Sequence, residues 1–315
     1  MKVIFMGTPD FAVPILQRLV DDRTIDVAAV VTQPDRPKGR KHQLTPSPVK
    51  VLAEKYRLPV LQPEKVRDPQ AVRNILSCRP DLLITAAYGQ ILPQSLLDGP
   101  RLGCVNVHAS LLPMYRGAAP IQQAIIDGRK ETGVTIMYMV KKLDAGDILS
   151  QVRVPIQDSD TFGTLHDKLS EAGGDLLMQT LPRIVSGDIT PKTQNDNEAT
   201  FAPSIKREDE AIDWSKPASE VRNLIRGLNP FPGAYTTLNG KVFKIFGAEL
   251  VNTSSEKAVP GAVLKADPDG FLVAAGSGTV LSITECQPSG KKRMRAADFL
   301  RGTILDPGTV LGARR

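Results

Sequence analysis

Three side chains of the right type stand where an acyl transfer to an amine would need them. Asn106 and His108 are two residues apart in the run Cys104-Val-Asn-Val-His108. In an extended strand residues i and i+2 share a face, so the amide and the imidazole point the same way. Further on, Leu143-Asp144-Ala-Gly-Asp147 supplies carboxylates just past another apolar run. An amine attacking a carbonyl carbon creates a tetrahedral intermediate with an oxyanion. An amide N–H and a protonated imidazole can stabilise that charge, while a carboxylate orients the ring and helps take the proton of the amine. No covalent nucleophile is needed. Cys104 shares the face of Asn106 but lies deeper in the strand, where a core thiol is expected. Ser110 lacks the G-x-S-x-G context of an activated serine. Taken alone, an Asn and a His at a strand end read as structural. The loop that follows, Ser110-Leu-Leu-Pro113 through Gly117, shifts the balance, because its backbone groups can wrap a flat ligand.

The elements that must position these residues alternate between strand-like and helix-like patterns. Apolar runs predict strands at Val3–Met6, Val27–Val31, Pro59–Leu61, Leu82–Ala87, Cys104–Val107, Val134–Val140 and Ile148–Val154. Helical patterns fall at Phe11–Val20, Val49–Tyr56, Ala71–Ser77, Ala118–Asp127 and Thr164–Leu181. This alternation predicts βαβ units and an α/β fold with a Rossmann-like, doubly wound, mainly parallel sheet. Ligands of such sheets bind outside the carboxyl ends of the strands, which places the site after Gly7, Val31, Ala87 and Val107. Gly7-Thr-Pro-Asp10 is not G-x-G-x-x-G, and Pro9 removes a backbone donor, so a dinucleotide site is not expected. Residues 33–48 are rich in proline and basic residues and read as a long loop. The periodicity fades after Ser186, and Thr190-Pro-Lys-Thr-Gln-Asn-Asp-Asn-Glu198 reads as a linker. A helix at Ala218–Gly227 and five short strands at Ala234–Leu238, Val242–Ala248, Gly261–Ala266, Gly270–Ala274 and Thr279–Gln287 then predict a small C-terminal β-barrel of the OB-fold type. The expected organisation is a domain over 1–189, a linker over 190–205 and a second domain over 206–315.

Composition narrows the class. Of 315 residues, 41% are hydrophobic and 23% charged, as in ordinary globular chains. The net charge of +6 is unevenly spread: residues 206–315 hold 16 Lys+Arg against 12 Asp+Glu, so four of the six excess positive charges fall in the last third. That bias suits a polyanionic partner. Cys78, Cys104 and Cys286 are odd in number, widely spaced and far from any Cys/His cluster, which argues against structural zinc or a disulfide framework and for a reducing compartment. The N-terminus lacks the pattern of a signal peptide, no apolar run approaches the ~20 residues of a membrane span, and the cytoplasm is the expected location.

The segment Asn106…His108…Ser110-Leu-Leu-Pro113, with Asp144 downstream, resembles the signature of the 10-formyltetrahydrofolate-dependent formyltransferases. The resemblance implies that Asn106, His108 and Asp144 are catalytic. It implies that Ser110, Leu111, Leu112 and Pro113 bind the folate, with Ala86, Tyr88, Gly89, Gln90 and Ile91 forming a wall of its pocket. It also implies 10-formyltetrahydrofolate as formyl donor and no metal.

Acceptors in this family include glycinamide ribonucleotide, amino sugars on nucleotides, and methionyl-tRNA. Three features favour initiator methionyl-tRNA as partner, with an amino-sugar nucleotide as the alternative. Gln33-Pro-Asp-Arg-Pro-Lys-Gly-Arg40 through Lys50 resembles the inserted loop by which the tRNA-directed members approach the acceptor stem. In it Arg36, Lys38, Arg40 and Lys41 offer positive charge to phosphates. Gly117-Ala-Ala-Pro-Ile-Gln122 after Tyr115-Arg116 also matches those members. The C-terminal third resembles their β-barrel domain: Ile205-Lys206, Ile212-Asp-Trp214, Asn223-Leu-Ile-Arg226, Asn229-Pro-Phe-Pro-Gly233 and Gly290-Lys-Lys-Arg293. That likeness implies tRNA contacts at Lys206, Lys291, Lys292 and Arg293. Phe231 stands where the family frequently has Trp, and Lys41-His42-Gln43 departs from its commoner basic run. Trp214 is expected as an apolar anchor near the domain junction rather than as a stacking platform. Nothing in the sequence requires more than a monomer, and no membrane partner is expected.

Overall fold

The computed structural model describes residues 1–38, 43–267 and 269–312. Arg40 and Lys41, expected at tRNA, lie outside the described residues, as does the side chain of Lys38. The chain forms two compact units: residues 1–120, 131–155 and 166–202 in the first, and residues 121–130, 156–165 and those from 203 on in the second.

The first unit is built on a seven-stranded sheet: β1 (Lys2–Gly7), β2 (Asp26–Val31), β3 (Val60–Leu61), β4 (Leu82–Ala86), β5 (Cys104–His108), β6 (Glu131–Tyr138) and β7 (Ile148–Pro155). The order is β7-β6-β5-β4-β1-β2-β3. Strands β1 to β5 are parallel. Every residue of β4, Leu-Leu-Ile-Thr-Ala, is buried, as in a strand covered on both faces. Helices Val13–Asp21, Pro48–Lys55 and Pro69–Ser77 lie between successive parallel strands. Ser47 starts the second of these, its Oγ accepting from Lys50 N at 3.0 Å, with Pro48 at the first position. Strand order reverses direction between β1 and β4, which is the switch point at which such sheets open a crevice.

The sheet is mainly parallel, as expected, and two further features matter for the site. Strands β6 and β7 are antiparallel. Only residues 139–147 connect them, too few for a crossover helix. Strand β7 accordingly alternates in exposure along its second half, as an edge strand with one wet face does. The expected loop over 33–48 contains a two-stranded ribbon, Arg36–Lys38 against Gln43–Thr45. A further helix, Gln94–Asp98, is too short at five residues to leave a periodic signal.

The expected linker also takes a different form over residues 190–202, which belong to the first unit. Lys192 bridges Ile148, and Phe201–Ala202 pairs in parallel with Arg116–Gly117. The stretch is polar and aperiodic because backbone bonds hold it rather than an apolar face.

The second unit carries an antiparallel sheet of β8 (Tyr235–Leu238), β9 (Lys241–Val251), β10 (Val263–Asp267), β11 (Gly270–Ala274) and β12 (Val280–Pro288), in the order β8-β9-β12-β11-β10. Its core gathers Trp214, Phe243, Ile245, Phe271, Leu281 and Ile283, with Val221 and Ile225 from the helix Ala218–Gly227. The Phe243 ring lies 5.2 Å from that of Phe299 on a short helix, Ala296–Arg301, that the strand pattern did not reveal. Trp214 is buried within this core, its Nε1 donating to Thr236 Oγ1 at 3.1 Å. It therefore anchors the second unit's own packing. Among the described residues no helix is long and apolar enough to cross a membrane.

Candidate active site

Strand β5 carries Asn106 and His108 to the carboxyl end of the sheet, beside β4. Thr85 is the cross-strand partner of Asn106 in the β4–β5 register, and its hydroxyl lies 2.7 Å from Asn106 Oδ1. A hydroxyl donating to Oδ1 leaves the amide N–H groups to face another partner. His108 is buried, with Nε2 3.0 Å from the carbonyl of Tyr115. A carbonyl only accepts, so Nε2 carries a proton and Nδ1 is the ring nitrogen turned away from that bond. Asp144 Oδ2 faces Nδ1 at 3.8 Å, beyond hydrogen-bond reach but well within that of charge. The same oxygen accepts from Gly117 N at 2.8 Å. The structure thus brings His108 and Asp144 together, with Asn106 two residues earlier on the same strand.

Asp144 adopts a left-handed backbone, φ 46°, in the connection between β6 and β7. Gly146 is required there, since a Cβ on it would lie 1.8 Å from the carbonyl oxygen of Tyr138. Gly117 is required for a similar reason, with φ 121° and Ala202 O 2.6 Å from a notional Cβ. The sequence marks Asp144 but not the residues that support it. Thr85 left a usable signal as the one polar residue of an apolar strand. Gln194, whose Nε2 donates to the carbonyls of Asp144 and Gly146 at 2.9 and 2.7 Å, left none, because it stands in the stretch read as a linker.

The residues expected at the folate occupy two segments of the same rim. Ala86 ends β4, Ala87 turns the chain at φ 48°, and Gly89 follows at φ 90°. The Tyr88 carbonyl accepts from Thr8 Oγ1 at 2.9 Å and Gln33 Nε2 at 3.2 Å, which links the ends of β1, β2 and β4. Gln90 Oε1 accepts from Val66 N at 2.8 Å. Ile91 is 83% exposed, an unusual position for an isoleucine and open to a ligand. Tyr88 instead packs its ring among core residues, where burial raises its phenol to about 12. In the second segment Ser110 is fully buried and its hydroxyl donates to Met114 O at 2.7 Å, closing the loop on itself. Leu112 N donates to Thr135 Oγ1 at 3.1 Å, and its side chain packs on Met137 and Ile148. Leu111, Leu112, Pro113 and Met114 line an open hollow of about 600 Å³ with Gln151 and Arg153 of β7. Cys104 is buried, and desolvation, with a smaller contribution from Asp98, pushes its thiol up to about 12. A core role for it follows.

Of the expected tRNA contacts, Arg36 is exposed and pairs with Glu64 at 2.8 Å. Lys206, Lys291 and Lys292 are exposed. Arg293 is engaged within the second unit: its Nη1 donates to Asn229 Oδ1 at 3.1 Å, it pairs with Glu285, and its guanidinium stacks 4.5 Å over Phe246. Phe231 is 75% exposed.

A mainly parallel sheet with this cluster at its carboxyl rim is thus joined to a unit built on an antiparallel sheet. The chain belongs to the formyl transferase family: residues 1–181 match its N-terminal model and residues 204–303 its C-terminal domain model. It is 57% identical over 311 residues to a methionyl-tRNA formyltransferase of Bacillus velezensis, covering 99% of this chain and 98% of that one. It is 59% identical over 316 residues to the protein of that name from Halalkalibacterium halodurans, covering 100% and 99%. A crystal structure of HypX from Aquifex aeolicus in complex with tetrahydrofolic acid shares the fold, at a TM-score of 0.62 and 20% identity. It aligns over 96% of this chain, which spans 47% of that longer one.

Proposed function

We propose that the chain transfers the formyl group of 10-formyltetrahydrofolate to the amino group of methionine on charged initiator tRNA, giving N-formylmethionyl-tRNA. The observation that carries the chemistry is Asp144 Oδ2 facing His108 Nδ1 at 3.8 Å, with Asn106 two residues before His108 on the same strand. Full-length likeness to relatives named for this reaction supports the acceptor.

The amine nitrogen attacks the formyl carbon, a C–N bond forms, and the carbonyl electron pair moves to oxygen. The Asn106 amide and a protonated His108 stabilise that oxyanion. Asp144 orients His108 and helps take the proton leaving the amine. The bond from carbon to N10 of the folate then breaks and N10 gains a proton, so one proton lost by the amine is balanced by one taken up at N10. The folate lies between the segment of Ala86 and Tyr88 to Ile91 and the loop Ser110–Pro113. Its contacts come mainly from backbone groups and Ile91, because the Ser110 hydroxyl and the Tyr88 ring are turned into the protein. Residues 1–189 hold the chemistry. The domain over 206–315, with Lys206, Lys291 and Lys292, holds tRNA, and the basic residues Arg36, Lys38, Arg40 and Lys41 approach the acceptor stem through phosphate contacts. The protein acts in the cytoplasm as a monomer.

The test is incorporation of labelled formyl into acid-precipitable methionyl-tRNA by the purified chain. Release of free formate without incorporation would instead make it a hydrolase.

A further inference from the structure

The Asp144 loop is held from behind by a chain of polar groups that the transfer chemistry does not itself use. Arg116 is 1% exposed and heads the fully buried side chains by volume. Its Nε and Nη2 donate to Gln194 Oε1 at 3.1 and 2.8 Å, and its Nη1 pairs with Asp196 at 2.8 Å. A guanidinium only donates, so Gln194 must present Oε1 to it, and the amide orientation is fixed by chemistry. Nε2 is thereby aimed at the carbonyls of Asp144 and Gly146, 2.9 and 2.7 Å away. These are the backbone groups of the turn in which Asp144 has φ 46°, a left-handed conformation that is strained for a non-glycine residue. Two donors on that turn offset the strain.

The same stretch reaches the other side of the site. Tyr115 N donates to Thr200 Oγ1 and Arg116 N to Thr200 O, both at 2.9 Å. Ala119 N donates to Ala202 O at 3.0 Å. Tyr115 supplies the carbonyl that fixes His108, and Gly117 the amide that fixes Asp144. Residues 194–202 therefore hold the backbone references of both reacting side chains.

We infer that Gln194, oriented by the buried Arg116, is a positioning residue for the transfer: its amide fixes the turn at Asp144 and so the place of the carboxylate opposite His108. This rests on the assignment of Asp144 and His108 to the reaction. Gln194→Glu keeps the acceptor for Arg116 and removes both N–H donors. In the full-length protein kcat should fall by about a hundredfold, the scale of a roughly 1 Å misplacement at a reacting group. KM for the folate and for charged tRNA should stay within about twofold, since a positioning group acts on the transition state more than on binding. In an Asp144→Asn background the same change should add less than about twofold, because both act through one carboxylate. Gln194→Met, similar in length and uncharged, carries the test should the Glu variant fail to fold by circular dichroism. Undiminished kcat in both Gln194 variants, a loss in KM alone, or a full multiplicative loss on top of Asp144→Asn would overturn the inference. A normal loss in Asp144→Asn with none at Gln194 overturns it alone and leaves the proposed function standing. Wild-type activity in Asp144→Asn would overturn both.

Discussion

His108 and Asp144 are each tied to backbone groups, at the Tyr115 carbonyl and the Gly117 amide, whereas Lys206, Lys291 and Lys292 extend from the second unit with no ion pair among the described residues. The first arrangement restricts two side chains to one geometry. The second leaves three long cations free to follow a flexible polyanion. The difference matches what the two proposed tasks tolerate. Acyl transfer loses about a hundredfold for a misplacement of roughly 1 Å, while attraction between exposed charges extends over a Debye length of about 8 Å at physiological salt. Damage to the first region should therefore appear in turnover, and damage to the second in tRNA affinity and its salt dependence.

The largest expected effect is at His108. His108→Ala should lower kcat by about 10²–10⁴-fold, the usual size of a lost acid–base group, with tRNA affinity measured by filter binding nearly intact. An active variant would remove the imidazole from the mechanism. Next comes a pair of glycines that samples both regions. Gly146→Ala drives a Cβ to 1.8 Å from the Tyr138 carbonyl oxygen, whereas a Cβ on Gly290, at φ 74°, meets nothing within 4 Å. Urea unfolding should report a loss of about 3 kcal/mol or more for Gly146→Ala and about 1 kcal/mol for Gly290→Ala, where only backbone strain is added. Equal losses would contradict the view that one loop is packed and the other open.

Smaller again is the effect of replacing both Lys291 and Lys292 by Ala. The dependence of log K on log salt for tRNA binding should flatten by roughly one per lost phosphate contact, with kcat at saturating tRNA unchanged. An unaltered slope would take that turn out of the interface. The smallest effect is chemical. Burial pushes the thiols of Cys104 and Cys286 up to about 12. Both should therefore resist an exposed-thiol reagent at pH 8, where a group of such pKa is almost wholly protonated, and react only after denaturant is added. Labelling of either in the folded protein would contradict the assignment of these thiols to the cores.

The sequence made the strands and the candidate site residues legible for local reasons. Two-residue spacing on an apolar run puts Asn106 and His108 on one face, and the same runs predict β1, β2, β4 and β5 closely. The helix Ala218–Gly227 was readable from its period alone. What stayed hidden is what depends on contacts between distant residues. Arg116 and Gln194 are 78 positions apart, and no periodicity marks a segment held by side-chain amides and backbone bridges. The antiparallel turn of β6 and β7 follows from a short connection rather than from the residues within the strands. Arg293 likewise reads as one more cation in a basic run, and only its partners Asn229, Glu285 and Phe246 reveal a packing role.

In the proposed mechanism Asn106, His108 and Asp144 transfer a formyl group to one particular amine. The direct measurement is the rate of formyl transfer from 10-formyltetrahydrofolate by the wild-type chain, with charged initiator methionyl-tRNA, charged elongator methionyl-tRNA and an amino-sugar nucleotide as parallel acceptors. Rapid formylation of the initiator and little of the other two is the expected result. Transfer confined to the sugar nucleotide would contradict the assigned acceptor while keeping the triad, and no transfer to any amine would contradict the chemistry itself.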